Sequence, residues 1–477
     1  MALRSSRLTA VLVPAASVML AFASVRCVGS DPASNGAVEP AEAAAADSPS
    51  GMDGSNVPTT DGNPPVSPEA GLGTLDGVMT LSLGRTHTCA LLADQSVSCW
   101  GNNDSGQLGV LPGVTGASAT PLHVDLLGKK AKTIASGGKH TCVITTDSTV
   151  LCWGSNDKGQ LGRSTFNPIN AVEAVTLPVA LTKPALLAAG GSFSCIGNFD
   201  GLYLGAPGEE SHSVYCFGEN LTRQLATDTN NGLPVSMPTR IEFMPANPPL
   251  THFALALGED FSCGGLHASP NGSSIFKALQ CWGNNAQGQA GAASGTTVVT
   301  RAQNSPVYQG GPVVQLVRLA AGKAHGCAVV DLQGTGKQLL CWGNNTKGQT
   351  GDPVTGARPL TAVIGLDASG ITSLAAGGEA TCVVADGKVK CAGANDLGQL
   401  GRGTVGAAPN ATFADVGGLT GPTAVAVGGS HACAIVPGAA GKPTAKCWGA
   451  NDFGQLGTGA AGASAQSTPV TVVASKP

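Results

Sequence analysis

Cysteine and histidine are the residues of this sequence whose chemistry and spacing stand out. Fourteen of the 15 cysteines form seven pairs, and a histidine lies two residues before the first cysteine in four of them, at His87, His140, His325 and His431. Such residues could form disulfides, bind zinc or take part in catalysis. A structural zinc site needs four ligands, whereas each cysteine pair has at most one histidine nearby. We therefore expect no metal site.

The pattern around the histidines indicates a structural role. At the equivalent position the other three pairs have Phe193, Phe261 and Ala380, so the position tolerates residues that cannot transfer a proton. The motifs G-x-S-x-G, H-E-x-x-H and G-x-x-x-x-G-K-[ST] are absent from the sequence. We expect no catalytic residue and no cofactor, although residues scattered over the repeats could still form an enzyme site.

The sixth cysteine pair predicts how each pair is positioned. Asp386-Gly387 stands between two short runs rich in β-branched residues, which is a strong signal for a β-hairpin with a type I′ turn. With these two residues as the turn, Cys382 faces Cys391 at a non-hydrogen-bonded position, where Cα atoms lie about 4.5 Å apart. The spacing therefore predicts a disulfide between neighbouring strands.

The same interpretation extends to all seven pairs, because residues 1–27 predict export, as described below, and exported proteins retain disulfides. The alternative is a set of buried free thiols, since cysteine often serves as a small apolar residue. Only Cys27 is left without a partner. The predicted bridges are Cys89–Cys99, Cys142–Cys152, Cys195–Cys216, Cys263–Cys281, Cys327–Cys341, Cys382–Cys391 and Cys433–Cys447.

The second cysteine of each pair opens a motif such as CWGNNDSGQLG, which occurs in seven copies. Gly stands at +2, Asn at +4 and Gln at +8 in every copy. Asparagine tolerates left-handed conformations and glutamine can bond backbone groups left unpaired in a turn, so we expect a tight turn here. The third copy departs most, with Phe217 at +1 and Arg223-Gln224-Leu225-Ala226 for GQLG. The tryptophans at +1, expected to wedge between repeats, are Trp100, Trp153, Trp282, Trp342 and Trp448.

The combined pattern G-x-x-H-x-C-A-L…V-x-C-W-G-x-N-x-x-G-Q-L-G resembles the repeat of the regulator of chromosome condensation family, from about Val78 to Val473. Members of that family form seven-bladed β-propellers. The resemblance implies an all-β, seven-bladed β-propeller with about four short strands per blade, and the cysteine spacing adds one intra-blade disulfide per repeat. We expect the last strand, around residues 468–472, to pair with the first repeat and close the ring. In its context the chain resembles a secreted bacterial type, and we carry over no activity on chromatin or nucleotide exchange.

The sequence divides into three segments. Residues 1–27 combine Arg4 and Arg7 with an apolar run and small residues, which is typical of a secretory signal. Residues 28–76 are rich in Ala, Pro, Gly and Ser and contain eight acidic and no basic residues, so we predict a disordered spacer. Residues 77–477 hold the seven repeats.

Localisation and charge limit the partners. Cys27 resembles the lipid-acceptor cysteine of bacterial lipoproteins, although Arg26 precedes it where that motif has a small residue. We therefore expect an extracytoplasmic protein that is secreted or, if Cys27 is lipidated, anchored to the membrane as an outer-envelope lipoprotein. The formal net charge of −4 lacks the basic footprint of a nucleic-acid binder, so we expect no nucleic-acid partner. We also expect a monomer.

Long hairpins in the third and fourth repeats are the candidate binding loops. Their paired cysteines are 21 and 18 residues apart, against 9 to 14 elsewhere. Loops on one face of a rigid scaffold commonly hold binding sites, whereas free drift of loop length is the alternative. The candidate residues are Phe199, Tyr203, Glu209, Glu210, His212, His267, Asn271, Phe276 and Lys277.

Three functions compete at this point. The sequence favours a noncatalytic extracytoplasmic propeller that binds an unknown protein as a scaffold or inhibitor through loops on one face. The first alternative is an envelope-tethered structural or adhesive protein that recognises a cell-surface glycan. The second is a glycan-acting enzyme, which would need two converging carboxylates.

Overall fold

The computed structural model describes residues 73–111, 116–198, 213–227, 232–241, 250–268, 275–292, 295–304, 313–460 and 464–474. Within these ranges the chain forms seven antiparallel sheets of four strands, and each sheet uses four strands that are consecutive in sequence. The predicted seven-bladed, all-β propeller with four strands per blade is confirmed. A 3-10 turn, Ala439–Gly441, interrupts the β structure in the last hairpin.

The strands of the first four blades are β1 (Val78–Leu83), β2 (His87–Leu92), β3 (Val97–Gly101) and β4 (Ser118–His123); β5 (Ala131–Ser136), β6 (His140–Thr145), β7 (Val150–Gly154) and β8 (Glu173–Ala174); β9 (Leu186–Ala189), β10 (Phe193–Gly197), β11 (Val214–Gly218) and β12 (Val235–Ile241); β13 (Leu250–Leu257), β14 (Phe261–Ala268), β15 (Ile275–Asn284) and β16 (Val298–Asn304).

The strands of the last three blades are β17 (Val313–Ala321), β18 (His325–Leu332), β19 (Gly336–Asn344) and β20 (Ala357–Ala362); β21 (Ile371–Gly377), β22 (Ala380–Ala385), β23 (Lys388–Asn395) and β24 (Gly406–Asp415); β25 (Ala424–Val427), β26 (His431–Pro437), β27 (Pro443–Gly449) and β28 (Gln466–Thr471). The first strand of each blade lies innermost and packs against the first strand of the next, and β25 packs against β1 to complete the ring.

The ring does not close in the way the sequence predicted. β28 pairs with β27 of its own blade and not with the first repeat, because the free edge of β27 is taken by the strand that follows it in the chain. Instead, Thr74 and Asp76 form single β-bridges to Val473 and Thr444 of the last blade. The buried Leu75 donates its backbone N–H to the carbonyl of Val472 at 3.1 Å. Residues 73–76, assigned to the spacer by sequence, thus contact blade 7; the rest of the predicted spacer lies outside the described residues.

The cysteine hairpins match their prediction. In the sixth blade Cys382 pairs with Cys391, and the turn residues Asp386 and Gly387 have φ of 52° and 71°, as a type I′ turn requires. All seven hairpins place their cysteines opposite each other with Cα atoms 4.0–4.1 Å apart and a disulfide between them. The predicted pairing is confirmed in every blade.

The asparagine of the repeated motif acts through its side chain. In each copy its Oδ1 accepts the backbone N–H five residues later, as Asn103 does from Leu108 at 3.0 Å. The glutamine Oε1 accepts the N–H two residues before it, as Gln107 does from Ser105 at 2.8 Å. The predicted bonding by glutamine is therefore present. The predicted tight turn is formed, with positive φ angles at the motif glycines, as at Gly106 and Gly109, and not at the asparagine.

The tryptophans connect adjacent blades as predicted. All five are buried, and each indole Nε1 donates to the backbone carbonyl of the motif glutamine in the preceding blade, at 2.8–3.0 Å. The Trp100 indole reaches Gln455, which joins blade 1 to blade 7. One side chain therefore fills the wedge between two blades and satisfies a buried carbonyl there.

Seven glycines set the distance between the innermost strands at the axis. A Cβ built on Gly137 would lie 2.4 Å from the carbonyl oxygen of Gly190 in the next blade, and one on Gly428 would lie 2.6 Å from that of Gly84. Next to this contact, Gly138 donates its N–H to the carbonyl of Gly191 at 2.9 Å. Only glycine allows this approach. The set, here called the axial glycines, is Gly84, Gly137, Gly190, Gly258, Gly322, Gly377 and Gly428.

We predict that Gly137→Ala destabilises the whole propeller. The new methyl would collide with backbone of the next blade, which cannot move aside without opening the ring, so we expect a loss of about 3 kcal/mol in the free energy of unfolding. Chemical denaturation with the disulfides intact measures the loss. Gly417→Ala is the matched control, because a methyl group there would have no atom within 4 Å and its φ is not left-handed. Equal stability of the two variants would contradict this account of the axis.

The divergent third repeat carries backbone strain. Arg223 and Ala226 have φ of 64° and 51° at positions where other copies have glycine. A non-glycine residue in this region costs about 1–2 kcal/mol. We therefore predict that Arg223→Gly raises the free energy of unfolding by about 1 kcal/mol.

The reciprocal variant is Gly288→Arg in the fourth repeat. Gly288 has φ of +77°, and the atom nearest to a Cβ added there would be 3.8 Å away, so the arginine would introduce strain without a clash. We expect it to lower the free energy of unfolding by about 1 kcal/mol. If both substitutions shift stability in the same direction, strain at this position is not the cause.

Candidate functional site

The antiparallel topology gives the propeller two distinct faces. The turns inside the cysteine hairpins and the connections between successive blades lie on one face, which we call the hairpin face. The G-x-x-H turns and the motif loops lie on the other, which we call the motif face. This follows because each first strand ends at its G-x-x-H glycine and each third strand runs back toward the same end.

The structure tests the predicted binding loops only in part. Phe199, Tyr203, Glu209, Glu210, His212 and Asn271 lie outside the described residues. The backbone places His267 in β14 directly opposite Phe276 in β15, with Lys277 next along β15. The strands that frame both hairpins end on the hairpin face. A binding role for these residues stays a prediction.

Exposed aliphatic side chains on the hairpin face were missed by the sequence analysis. Leu127, Val179 and Ile364 lie in the connections from blade 1 to 2, 2 to 3 and 5 to 6, and they are 56%, 97% and 84% exposed. The available signal was a large aliphatic residue within a short connecting segment after each fourth strand. These three side chains place apolar surface at three points around one face.

Two partly buried carboxylates lie on the motif face. Burial raises the pKa of Glu219, with a further contribution from the nearby negative charge of Asp157 and Asp260. Burial also raises the pKa of Asp260, but Asn284 donates its Nδ2–H to the Asp260 carboxylate at 2.6 Å and its backbone N–H to the Asp260 carbonyl at 3.0 Å. Asp260 thus braces the neighbouring loop, and the arrangement resembles a packed turn more than a pair of carboxylates facing a substrate.

The four histidines of the G-x-x-H turns join blades through a polar relay. His140 and the hydroxyl of Ser194 in the next blade lie 2.8 Å apart, and that hydroxyl donates to the carbonyl of Gln160 at 3.0 Å. Since a hydroxyl has one proton, the imidazole must supply Nε2–H. The same arrangement joins His87 to Thr141, His325 to Thr381 and His431 to Thr88. The predicted structural role of the histidines fits these contacts.

The relay holds each imidazole in its neutral form. All four rings are fully buried, and each Nδ1 has no hydrogen-bond partner among the described residues. Burial lowers the pKa of His140 and His325 to about 4 and that of His87 and His431 to about 3. The unfolded chain therefore binds protons more readily than the folded one below about pH 6.5, so stability is fully present above that pH and is lost as the pH falls.

We predict that His140→Phe weakens the acid sensitivity of folding. The residue at this position is already phenylalanine in blades 3 and 4, where Ser262 still donates its hydroxyl proton to the carbonyl of Gln224 at 2.9 Å. Each buried histidine contributes up to about 1.4 kcal/mol per pH unit between pH 6.5 and its folded pKa. The slope of unfolding free energy between pH 6.5 and 4.5 should fall by that amount.

Phe193→His provides the reciprocal test. It places a new imidazole beside Ser262, and we expect the pH slope to rise by about the same 1.4 kcal/mol per unit. Denaturation curves recorded across the pH range measure both variants. An unchanged slope in His140→Phe would show that protonation of this ring does not limit stability in acid.

A cavity of about 470 Å³ lies on the axis. It is lined by the ends of the innermost strands and the G-x-x-H turns, with residues from all seven blades, so it belongs to the motif face. Its wall consists mainly of the axial glycines and the residues next to them. Arg85, Glu259 and Lys323 are its charged lining residues.

Within the described ranges, no group of three or more His, Cys, Asp and Glu residues could hold a metal ion. The same part of the chain contains no helix long and apolar enough to cross a membrane. The seven disulfides indicate that the protein folds in an oxidising, extracytoplasmic environment.

Comparison with known families supports the assignment of the repeats. Residues 80–107 and 131–160 match one family described as the Regulator of chromosome condensation (RCC1) repeat, and residues 95–144 match a second of the same description. The chain thus carries RCC1 repeats and folds as a seven-bladed β-propeller.

Curated relatives share part of this chain. It is 31% identical to human "Probable E3 ubiquitin-protein ligase HERC6" over 155 residues, which cover 31% of this chain and 14% of that protein. It is 26% identical to the "Ultraviolet-B receptor UVR8" of Arabidopsis thaliana over 280 residues, covering 57% of this chain and 54% of the receptor. The chain therefore spans a small part of the first protein and about half of the second, and both relatives are eukaryotic.

Solved structures show the same fold. Prp20p from Saccharomyces cerevisiae superposes with a TM-score of 0.61 at 18% identity, covering 83% of this chain and 90% of that one. Human WBSCR16 superposes with a TM-score of 0.60 at 20% identity, covering 75% of this chain and 86% of that one. At these identities the similarity concerns the fold.

Proposed function

We propose that this protein is a noncatalytic extracytoplasmic propeller that binds a protein partner through its hairpin face, as a scaffold or an inhibitor. Large apolar side chains are exposed on both faces, but the two most exposed in the described part of the chain, Val179 at 97% and Ile364 at 84%, lie on the hairpin face, and together with Leu127 they carry the proposal. Loops on one face of a rigid scaffold commonly hold binding sites, and apolar side chains presented there can make the buried contacts of a protein interface.

The rigidity of the scaffold supports this proposal. Each blade is held internally by a disulfide and joined to its neighbours by buried side chains, so loops on the hairpin face are presented at fixed positions. The yeast propeller Prp20p is named for binding Gsp1p and histones, and another structure contains it with Kap60 bound. The same fold therefore serves protein recognition elsewhere, while the partner of this chain must suit the repeats of residues 77–477, whose 23 basic and 22 acidic residues nearly cancel.

The environment of the protein forms part of the proposal. The oxidising compartment implied by the disulfides agrees with a secretory signal in residues 1–27, which lie outside the described residues. We propose export, either as a secreted protein of the bacterial type or as an outer-envelope lipoprotein anchored at Cys27. A glycan ligand is the competing partner class, and its binding would be an alternative outcome of the test.

We predict that replacing the three exposed aliphatic residues of the hairpin face by aspartate abolishes partner binding. The triple variant Leu127→Asp, Val179→Asp, Ile364→Asp places charge where apolar contact would form, and we expect at least about a hundredfold loss in affinity. The full-length variants, immobilised, are compared for capture of a stoichiometric protein from envelope and culture fluid, followed by affinity measurement with the purified partner.

The matched control changes three exposed aliphatic residues on the motif face, in Leu111→Asp, Val354→Asp and Val405→Asp. It alters charge equally and should bind like the wild type. Shortening the 200–211 segment tests the predicted long loop in the same assay. Loss of capture in the motif-face variant alone would show that binding uses the motif face instead, and capture of glycan without protein would replace this proposal with the adhesive alternative.

A further inference from the structure

The axial cavity contains an ion pair that crosses the ring. The guanidinium of Arg85 in blade 1 contacts the carboxylate of Glu259 in blade 4. Blades 2 and 3 separate them on one side and blades 5, 6 and 7 on the other, so the two side chains can meet only over the axis. Both residues line the cavity. The pair therefore spans its opening at the motif face.

A second pair of opposite charges lies beside the first. Lys323 of blade 5 also lines the cavity, and its Nζ lies 3.8 Å from Oε1 of Glu379 in blade 6. Positive and negative groups are thus both present around the opening. In the remaining blades the residue that follows the axial glycine is itself a glycine, at Gly138, Gly191, Gly378 and Gly429. The charges belong to particular blades and are not a general property of the repeat.

These ion pairs are weakly held and can exchange partners. The side chains of Arg85 and Lys323 are 53% and 61% exposed, and ion pairs with this exposure contribute little to stability. The backbone beneath them is fixed, because Lys323 donates its N–H to the carbonyl of Gly378 at 2.9 Å. The charged side chains can therefore separate from each other without moving the backbone of the blades.

From this arrangement we infer that the axial cavity binds a short zwitterionic peptide, whose carboxylate contacts Arg85 and Lys323 while its ammonium group contacts Glu259. A ligand with one charge would separate Arg85 from Glu259 and leave one of them without a partner in the cavity. A zwitterion supplies a partner to each. The arrangement thus selects for ligands that carry both charges.

The size of the cavity fits the same ligand class. Its volume of about 470 Å³ lies within the range of pockets that enclose small organic ligands, about 300–1,000 Å³. A single amino acid would fill a small part of it, whereas a peptide of a few residues could reach from the charged opening to the glycine-lined wall. The axial glycines form part of that wall.

Calorimetric titration of the full chain with trialanine tests the proposal. N-acetyl-trialanine lacks the ammonium group and trialanine amide lacks the carboxylate, so each should bind at least about tenfold more weakly than trialanine. The double variant Arg85→Gln, Glu259→Gln should bind trialanine about tenfold more weakly and lose the preference among the three peptides.

The matched control is Lys388→Gln, Asp415→Asn, which removes the exposed contacts of Asp415 with Lys388 and Lys390 in the sixth blade, outside the cavity. It should bind trialanine like the wild type. Thermal unfolding of both variants confirms that the ring remains folded. No heat of binding at about 10 mM trialanine, equal binding of the blocked peptides, or full binding by the Arg85→Gln, Glu259→Gln variant would each overturn the inference.

Discussion

The close approach of seven innermost strands at the axis is the constraint on which this propeller depends. A side chain on six of the axial glycines would meet backbone of the next blade, as between Gly137 and Gly190, and on Gly322 it would meet the ring of His325 in its own turn. That approach brings each first strand against the next and sets the angle of the wedges behind them. The buried tryptophans fill those wedges, and their indoles bond to glutamine carbonyls one blade away.

Two kinds of contact stabilise the ring, one within each blade and one between neighbouring blades. Disulfides and hairpin turns act within a blade, because the residues they join are close in sequence. The relay of histidine, hydroxyl and glutamine acts between blades, as from His140 to Ser194 and on to Gln160. Where Phe193 replaces histidine, its ring occupies the same space and the Ser262 hydroxyl of the next blade keeps its bond to the carbonyl of Gln224. The repeat therefore varies its polar links while its geometry stays constant.

A scaffold built in this way leaves its two faces free to specialise. The hairpin face carries the turns whose length the fold does not restrict, and it exposes aliphatic side chains such as Val179. The motif face is occupied by tightly bonded loops and surrounds the axial opening, where the Arg85–Glu259 pair crosses the ring. Recognition of a large partner and of a small charged ligand would thus use different surfaces of one rigid body.

Sequence alone determined what is local in this protein. The Asp386-Gly387 turn fixed the register that places Cys382 opposite Cys391, since a two-residue turn leaves no freedom in pairing. Seven copies of one motif likewise predicted seven blades. The tertiary structure decided how the ring closes, with β28 in its own blade and Thr74 beside Val473, and which hydroxyl each histidine meets. It also brought Arg85 to Glu259, which are 174 residues apart in sequence. Contacts across the axis depend on the angle between blades, and no repeating pattern of residues in the sequence indicates them.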